Sequence, residues 1–236
     1  MHNKEGLMFF FPARQPAYIA VLGDIKRSRT YADREGIQRS LGAVLDEISK
    51  QYSAYIVSKF TITLGDEFQA LLNLDAPVMQ IIATIQNELH PVAIRFGIGL
   101  GEIHTAINPD LAIGADGPAY YNARSGIDYL KENEKKKKVA ASDIRFVCDE
   151  KKILFMDAIN TILLLMYTIK RSWSERQRQI LSQALLFPDT QANIANKLYI
   201  NQSSVQRSMA TGDFYSYKEA LRVVNGLIAA VGVDDV

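Results

Sequence analysis

The chain has 236 residues, 48% of them hydrophobic and 22% charged, with a formal net charge of +1. This is the make-up of an ordinary soluble globular protein of one large or two small domains, and it gives no global attraction to nucleic acid or to a membrane surface. Any such role must rest on a local patch. Cys148 is the single cysteine, so no internal disulfide can form, in keeping with a reducing cytoplasmic setting.

Taken in chain order, residues 1–16 read as a leader. Their apolar stretch "LMFFFP" is too short for the core of a secretory signal. "AYIAVLGDI" (17–25) is a continuous apolar run closed by Gly-Asp, which predicts a strand buried on both faces. Residues 32–52 follow with Ile37, Leu41, Val44, Leu45 and Ile48 at helical spacing. Period-two alternation on either side of Gly65-Asp66 predicts a hairpin of strands 54–64 and 67–74. A proline-initiated helix is expected over 77–89, and a glycine-rich strand over 92–105. A helix over 117–133 and a short strand, "IRFVC" (144–148), close the series. The order strand, helix, hairpin, helix, strand, helix, strand predicts an α+β fold, a ferredoxin-like or palm-type antiparallel sheet with helices.

Beyond residue 150 the pattern is helical only, and four apolar-periodic helices can be drawn. A boundary is therefore expected near 148–152, giving a sheet domain over 17–150, a connecting helix over 151–171 and an all-α domain over 172–236. The apolar run 153–169 is interrupted by Asp157 and Asn160. It falls short of the about 20 residues a membrane span needs, so it reads as a buried or dimer-forming helix and no membrane partner is expected. The tract 131–142, "KENEKKKKVAAS", reads as a solvated or phosphate-contacting loop.

In that element order the end of the first strand and the tip of the hairpin lie side by side, which would bring Asp24 near Asp66 and Glu67. Converging carboxylates repel unless a cation sits between them, and oxygen-only ligands suit Mg²⁺ or Mn²⁺. The alternative is that Asp24 caps the next turn and Asp66 merely occupies the hairpin. Lys26, Arg27 and Arg29 follow Asp24 and form either a triphosphate cradle or a solvated turn; Lys59 is placed to contact a base. His2, His90 and His104 have no metal-ligand spacing with Cys148, so no zinc site is expected.

"YIAVLGDI", "ITLGDEFQALL" and "VAIRFGIGLGEI" resemble the core strands of class III nucleotidyl cyclases and of GGDEF domains. The resemblance implies that Asp24 and Asp66 are metal-binding and that Glu67 matches the metal-binding Glu of the GGDEF signature. It further implies a ribose-orienting Asn and a phosphate-stabilising catalytic Arg after a Gly-Pro. Aligning Gly117-Pro118 puts Tyr121 and Ser125 at those places, with Asn122 and Arg124 beside them as candidates. Leu64 stands where the GGDEF signature has a glycine. Over about residues 17–220 the chain resembles the SatD family, through "GDIKRSR", "SKFTITLGDEFQALL", "IRFGIGLGEIHT", "IGADGPAYYNAR" and "TQANIANKLYINQSSVQRSM".

The last of these stretches also resembles the helix-turn-helix of sigma factors and LuxR-type regulators. Ser174 and Thr190 are N-caps, Ala195 permits a close helix crossing, and a recognition helix over 203–209 buries Val205. Gln202, Ser203, Ser204, Gln206 and Arg207 would then face the major groove of DNA. Tyr199 replaces the usual turn glycine, and the region carries as many acids as bases, so a homodimer through the 153–169 helix would be needed to supply two half-sites. Three functions remain open from sequence: a nucleotide- and Mg²⁺-binding DNA-binding regulator, a nucleotidyl cyclase or nucleotidyltransferase releasing pyrophosphate, or an interaction module.

Overall fold

The structure, a computed structural model, describes residues 17–136 and 142–233. The expected leader (1–16), His2 and the lysine-rich part of the 131–142 tract (137–141) lie outside the described residues. Strands β1 (Ala17–Ile25), β2 (Ile56–Leu64), β3 (Glu67–Leu72), β4 (Ile94–Glu102) and β5 (Ile144–Val147) form one sheet in the order β2-β3-β1-β4-β5. The first four are antiparallel, as the ferredoxin-like order requires. The closing strand departs from the expected all-antiparallel sheet. β5 runs parallel to β4 because a crossover helix, α3 (Pro118–Lys135), carries the chain back before it starts.

Helices divide between the faces according to strand alternation. Ile19, Val21 and Ile25 of β1 point to a core shared with α1 (Arg34–Gln51) and α2 (Val78–Glu88). Ala20 and Leu22 point the other way, to α3, which packs through Ala119, Ala123 and Ile127. Gly97 and Gly99 of β4 explain how close α3 lies. A methyl group on Gly99 would stand 2.1 Å from the carbonyl oxygen of Ala119, and one on Gly97 2.0 Å from that of Ala123. This is the glycine-rich strand face that the sequence shows.

Five α-helices follow residue 150 among the described residues, where four were expected: α4 (Ile153–Arg171), α5 (Glu175–Leu186), α6 (Gln191–Lys197), α7 (Gln202–Thr211) and α8 (Phe214–Val233). The break between the last two falls at Gly212-Asp213, where Asp213 takes a φ of 52°. The core runs on across residue 150: Ile159, Leu163 and Met166 of α4 and Val224 and Ile228 of α8 join the apolar layer beneath the sheet. A smaller core of Trp173, Ile180, Leu181, Ile194, Val205, Met209 and Phe214 holds α5, α6 and α7 together.

Segment 150–171 is long and apolar enough to cross a membrane by length and composition. Here one of its sides is spent on the sheet. Asn160 accepts from the Phe146 amide at 2.9 Å and donates to the Phe146 carbonyl at 2.8 Å, replacing a missing sixth strand at the edge of β5.

Candidate functional site

Asp24 sits near the end of β1, directly opposite Glu67 on β3 and Arg95 on β4. Cross-strand partners share a face, so the three charged side chains form one row beneath α3. Helix α3 adds Arg124, Lys131 two turns later, and Glu134. Lys131 Nζ lies 2.8 Å from Asp24 Oδ1 and 3.1 Å from Glu67 Oε1. Arg124 Nη1 donates to both Glu67 oxygens, at 3.0 and 2.9 Å. Arg95 Nη1 is 3.3 Å from Asp24 Oδ2, and its Nη2 donates to Glu134 at 2.9 Å.

Asp24 and Arg95 are both buried, and charges so placed persist only when paired and hydrogen-bonded. The pairing is incomplete, since Arg95 Nε is buried without a partner among the described residues. Burial pushes the Asp24 carboxyl above its usual range, against the opposing pull of Lys131 and Arg95. For Glu67 burial acts the same way, but the hydrogen bonds from Lys131 and Arg124 outweigh it and hold that carboxyl low. Lys131 is pushed down by burial and raised further by its two carboxylates, so it stays charged.

Asp66 is not part of this row. It precedes Glu67, and alternation turns it to the opposite face, where its Oδ2 accepts from Ser28 Oγ at 2.5 Å. Its carbonyl accepts from the Ile25 amide at 2.9 Å, so the backbone juxtaposition expected between the first strand and the hairpin is present. Gly65, at φ 50°, makes the turn. The structure thus brings Asp24 and Glu67 together and gives Asp66 a separate environment.

The donor set decides whether this row suits Mg²⁺ or Mn²⁺. Two carboxylates converge, and the Lys131 ammonium stands between them in place of a divalent ion. No group of three or more His, Cys, Asp or Glu side chains poised for a metal occurs among the described residues. As folded, the row fits its own ammonium and not a divalent cation.

Lys26 joins the end of this row, reaching Glu134 at 2.5 Å, and lies 5.9 Å over the Tyr167 ring; the other candidates are dispersed. Lys59 pairs with Asp110 at 2.6 Å, on the far edge of the sheet. Asn122 donates to the Leu100 carbonyl at 2.8 Å and so ties α3 to β4. Arg27 and Arg29 are exposed, and their side chains have no partner among the described residues. Lys131 and Glu134, which with Arg95 complete the row, fall in the tract expected to be a solvated or phosphate-contacting loop; residues 131–135 instead continue α3 and turn these two side chains onto the sheet.

In the C-terminal helices, α6 ends in paired backbone bonds, Ile200 N–H to the Ala195 carbonyl at 2.9 Å and Tyr199 N–H to that of Asn196 at 3.2 Å. Tyr199 accordingly takes φ 52°, in the position glycine usually fills. Helix α7 follows with Val205 and Met209 in the small core. Gln202, Ser203, Gln206 and Arg207 are exposed and Ser204 is half-buried. The first four side chains are unengaged among the described residues.

A bacterial light-regulated adenylyl cyclase is similar over 56% of this chain and 43% of its own, at 13% identity and a TM-score of 0.41. This chain therefore spans less than half of that protein's length. The guanylyl cyclase domain of a RhoGC fusion protein from the aquatic fungus Blastocladiella emersonii is similar over 47% and 72%, at 18% identity and a TM-score of 0.35. A regulator of polyketide synthase expression from Bifidobacterium adolescentis is similar over 89% and 86%, at 11% identity and a TM-score of 0.29. At TM-scores this low, such likenesses assign no activity to the chain. No curated protein matches it. Residues 18–228 match the SatD family, and the chain belongs to that family.

Proposed function

We propose that the chain is a DNA-binding regulator in which α6 and α7 form a helix-turn-helix and the sheet body serves as its scaffold. The observation that carries this reading is a contrast in side-chain engagement. Lys26, Arg95, Arg124 and Lys131 are all held by carboxylates, whereas Gln202, Ser203, Gln206 and Arg207 stand on one exposed helix with no partner among the described residues. Gln and Arg are the side chains that reach base edges bidentately. The closed carboxylate row argues against nucleotidyl transfer, which needs an open metal position.

The three-helix unit carries only four basic side chains, Arg176, Arg178, Lys197 and Arg207, and Lys197 is paired with Asp189 at 2.9 Å. One copy would neutralise few phosphates, so the reading calls for a homodimer binding two half-sites. The exposed side of α4, with Leu154 and Leu165, offers a face for a second copy. The test is selection of bound duplexes from a random DNA library, followed by titration at several salt concentrations. Salt-sensitive binding that Arg207→Ala and Gln206→Ala weaken supports the reading; its absence, or Mg²⁺-dependent pyrophosphate release from ATP or GTP, overturns it.

A further inference from the structure

Helices α2, α5 and α8 do not close completely on one another. They leave a cavity of about 110 Å³ walled by Met79, Ile82 and Ala83 of α2, Leu185 of α5, Leu221 of α8 and the ring of Trp173. Gln80, Asn87, Ser182 and Asn225 also line it, so the apolar side chains form one part of a mixed wall, with room for a ring or a short hydrocarbon chain. One end is polar. Gln86, Lys170 and Arg178 line this cavity and also an adjoining cleft of about 300 Å³, which adds Lys26, His90 and Arg171.

Asp143 is the one acid among the described residues lining the cleft, where Lys26 is paired with Glu134 at 2.5 Å and His90 Nε2 lies 2.9 Å from Glu175. Asp143 lies 3.9 Å from Lys170 Nζ and accepts from Gln86 at 2.8 Å. Lys170 also donates to Gln86 Oε1. Burial pushes the Lys170 ammonium below its usual pKa, with Asp143 opposing that shift. Asp143 is therefore engaged by Gln86 and, at longer range, by Lys170. Arg178, half-buried, makes one hydrogen bond, to the Lys170 carbonyl at 3.3 Å, and has no carboxylate partner among the described residues. The Tyr217 hydroxyl, on the same cavity, has no hydrogen-bond partner among them either. A guanidinium with unused donors beside a phenol, at the mouth of a partly apolar hole, is a polar anchor with an apolar seat.

We infer that this cavity binds a small organic anion, a single carboxylate on an apolar body, with the head on Arg178 and the body against Ala83, Leu185 and Trp173. The inference does not depend on DNA binding. Because α2 belongs to the sheet body and α5 to the three-helix unit, an occupant would touch both.

Trp173 is the only tryptophan in the chain, so its emission reports occupancy directly. The experiment titrates the full chain with straight-chain carboxylates from hexanoate to dodecanoate and with the alcohols of equal length, while following Trp173 fluorescence. A saturable change is expected for the acids, passing through an optimum length, with the alcohols weaker by roughly tenfold or more, the worth of a charge-assisted hydrogen bond. Arg178→Gln should weaken the acids to the level of the alcohols without altering far-ultraviolet dichroism. Ala83→Phe should abolish the change by filling the seat. No saturable change up to the solubility limit, or equal affinity for acid and alcohol that Arg178→Gln leaves untouched, overturns the inference. Should Ala83→Phe fail to fold, the acid–alcohol comparison and Arg178→Gln decide the matter alone.

Discussion

Glu67 stands directly across from Asp24 in the β1–β3 pairing, and the two carboxylates share the ammonium of Lys131. Removing that ammonium as Lys131→Met leaves two like charges facing each other under α3. The expected loss is about 1–2 kcal/mol at neutral pH, below the 3–5 typical of a fully buried pair because part of Lys131 remains in water.

The pH dependence has a definite sign. In the parent, Glu67 is held below its ordinary 4.5, so its contribution is present above that value and lost as the pH falls through the folded one. Asp24 is raised above 3.8 and works oppositely, favouring the fold as it takes up a proton. Without Lys131 both carboxyls rise, so the variant should recover relative to the parent on mild acidification. Melting temperatures of both proteins across that range check this; a gap independent of pH would mean that Lys131 acts through packing alone.

Gly99→Ala should destabilise the chain toward the upper end of the about 1–3 kcal/mol of an overpacked core, because the added methyl meets backbone rather than a yielding side chain. Urea denaturation reads the loss. Gly42→Ala on α1, where an added methyl group meets nothing within 4 Å, is the control and should be stabilising or neutral.

Tyr199→Gly should stabilise the chain by about 0.5–1 kcal/mol. The tyrosine holds φ 52° at a helix end and is 96% exposed, so glycine relieves the backbone while little packing is lost. A fall in melting temperature would show that the Tyr199 ring has a contact partner in solution, such as DNA or a second copy.

Leu165→Glu, on the exposed side of α4, should shift sedimentation toward the monomer and lower DNA affinity together, while leaving the melting temperature of the monomer near that of the parent. Loss of one without the other would separate dimerisation from DNA binding.

The sheet was largely legible from alternation and glycine placement: β1 covers the 17–25 run, and the hairpin turns at Gly65 as expected. Asp66 and Glu67 adjoin on one strand end, so alternation alone already implied that they face opposite ways. A signal for Lys131 was present as well, seven residues after Arg124 on one helix face. The partner of each apolar helix was not legible. Helix α8 carries an apolar stripe much like that of α4, and periodicity says that such a stripe is buried without saying against what; that both return to the sheet is a long-range fact. Nor does any local pattern show that Asn160, an interruption in an apolar run, would meet Phe146.

That meeting bears on how the protein behaves in a crowded solution. The outer margin of β5 is where a stray strand from another molecule could add itself and begin a growing ribbon. One carboxamide, held in place by the helix beneath, already occupies the vacant donor and acceptor there. Asn160→Leu would keep the apolar helix and leave that margin open, trading a closed edge for a template on which copies could assemble.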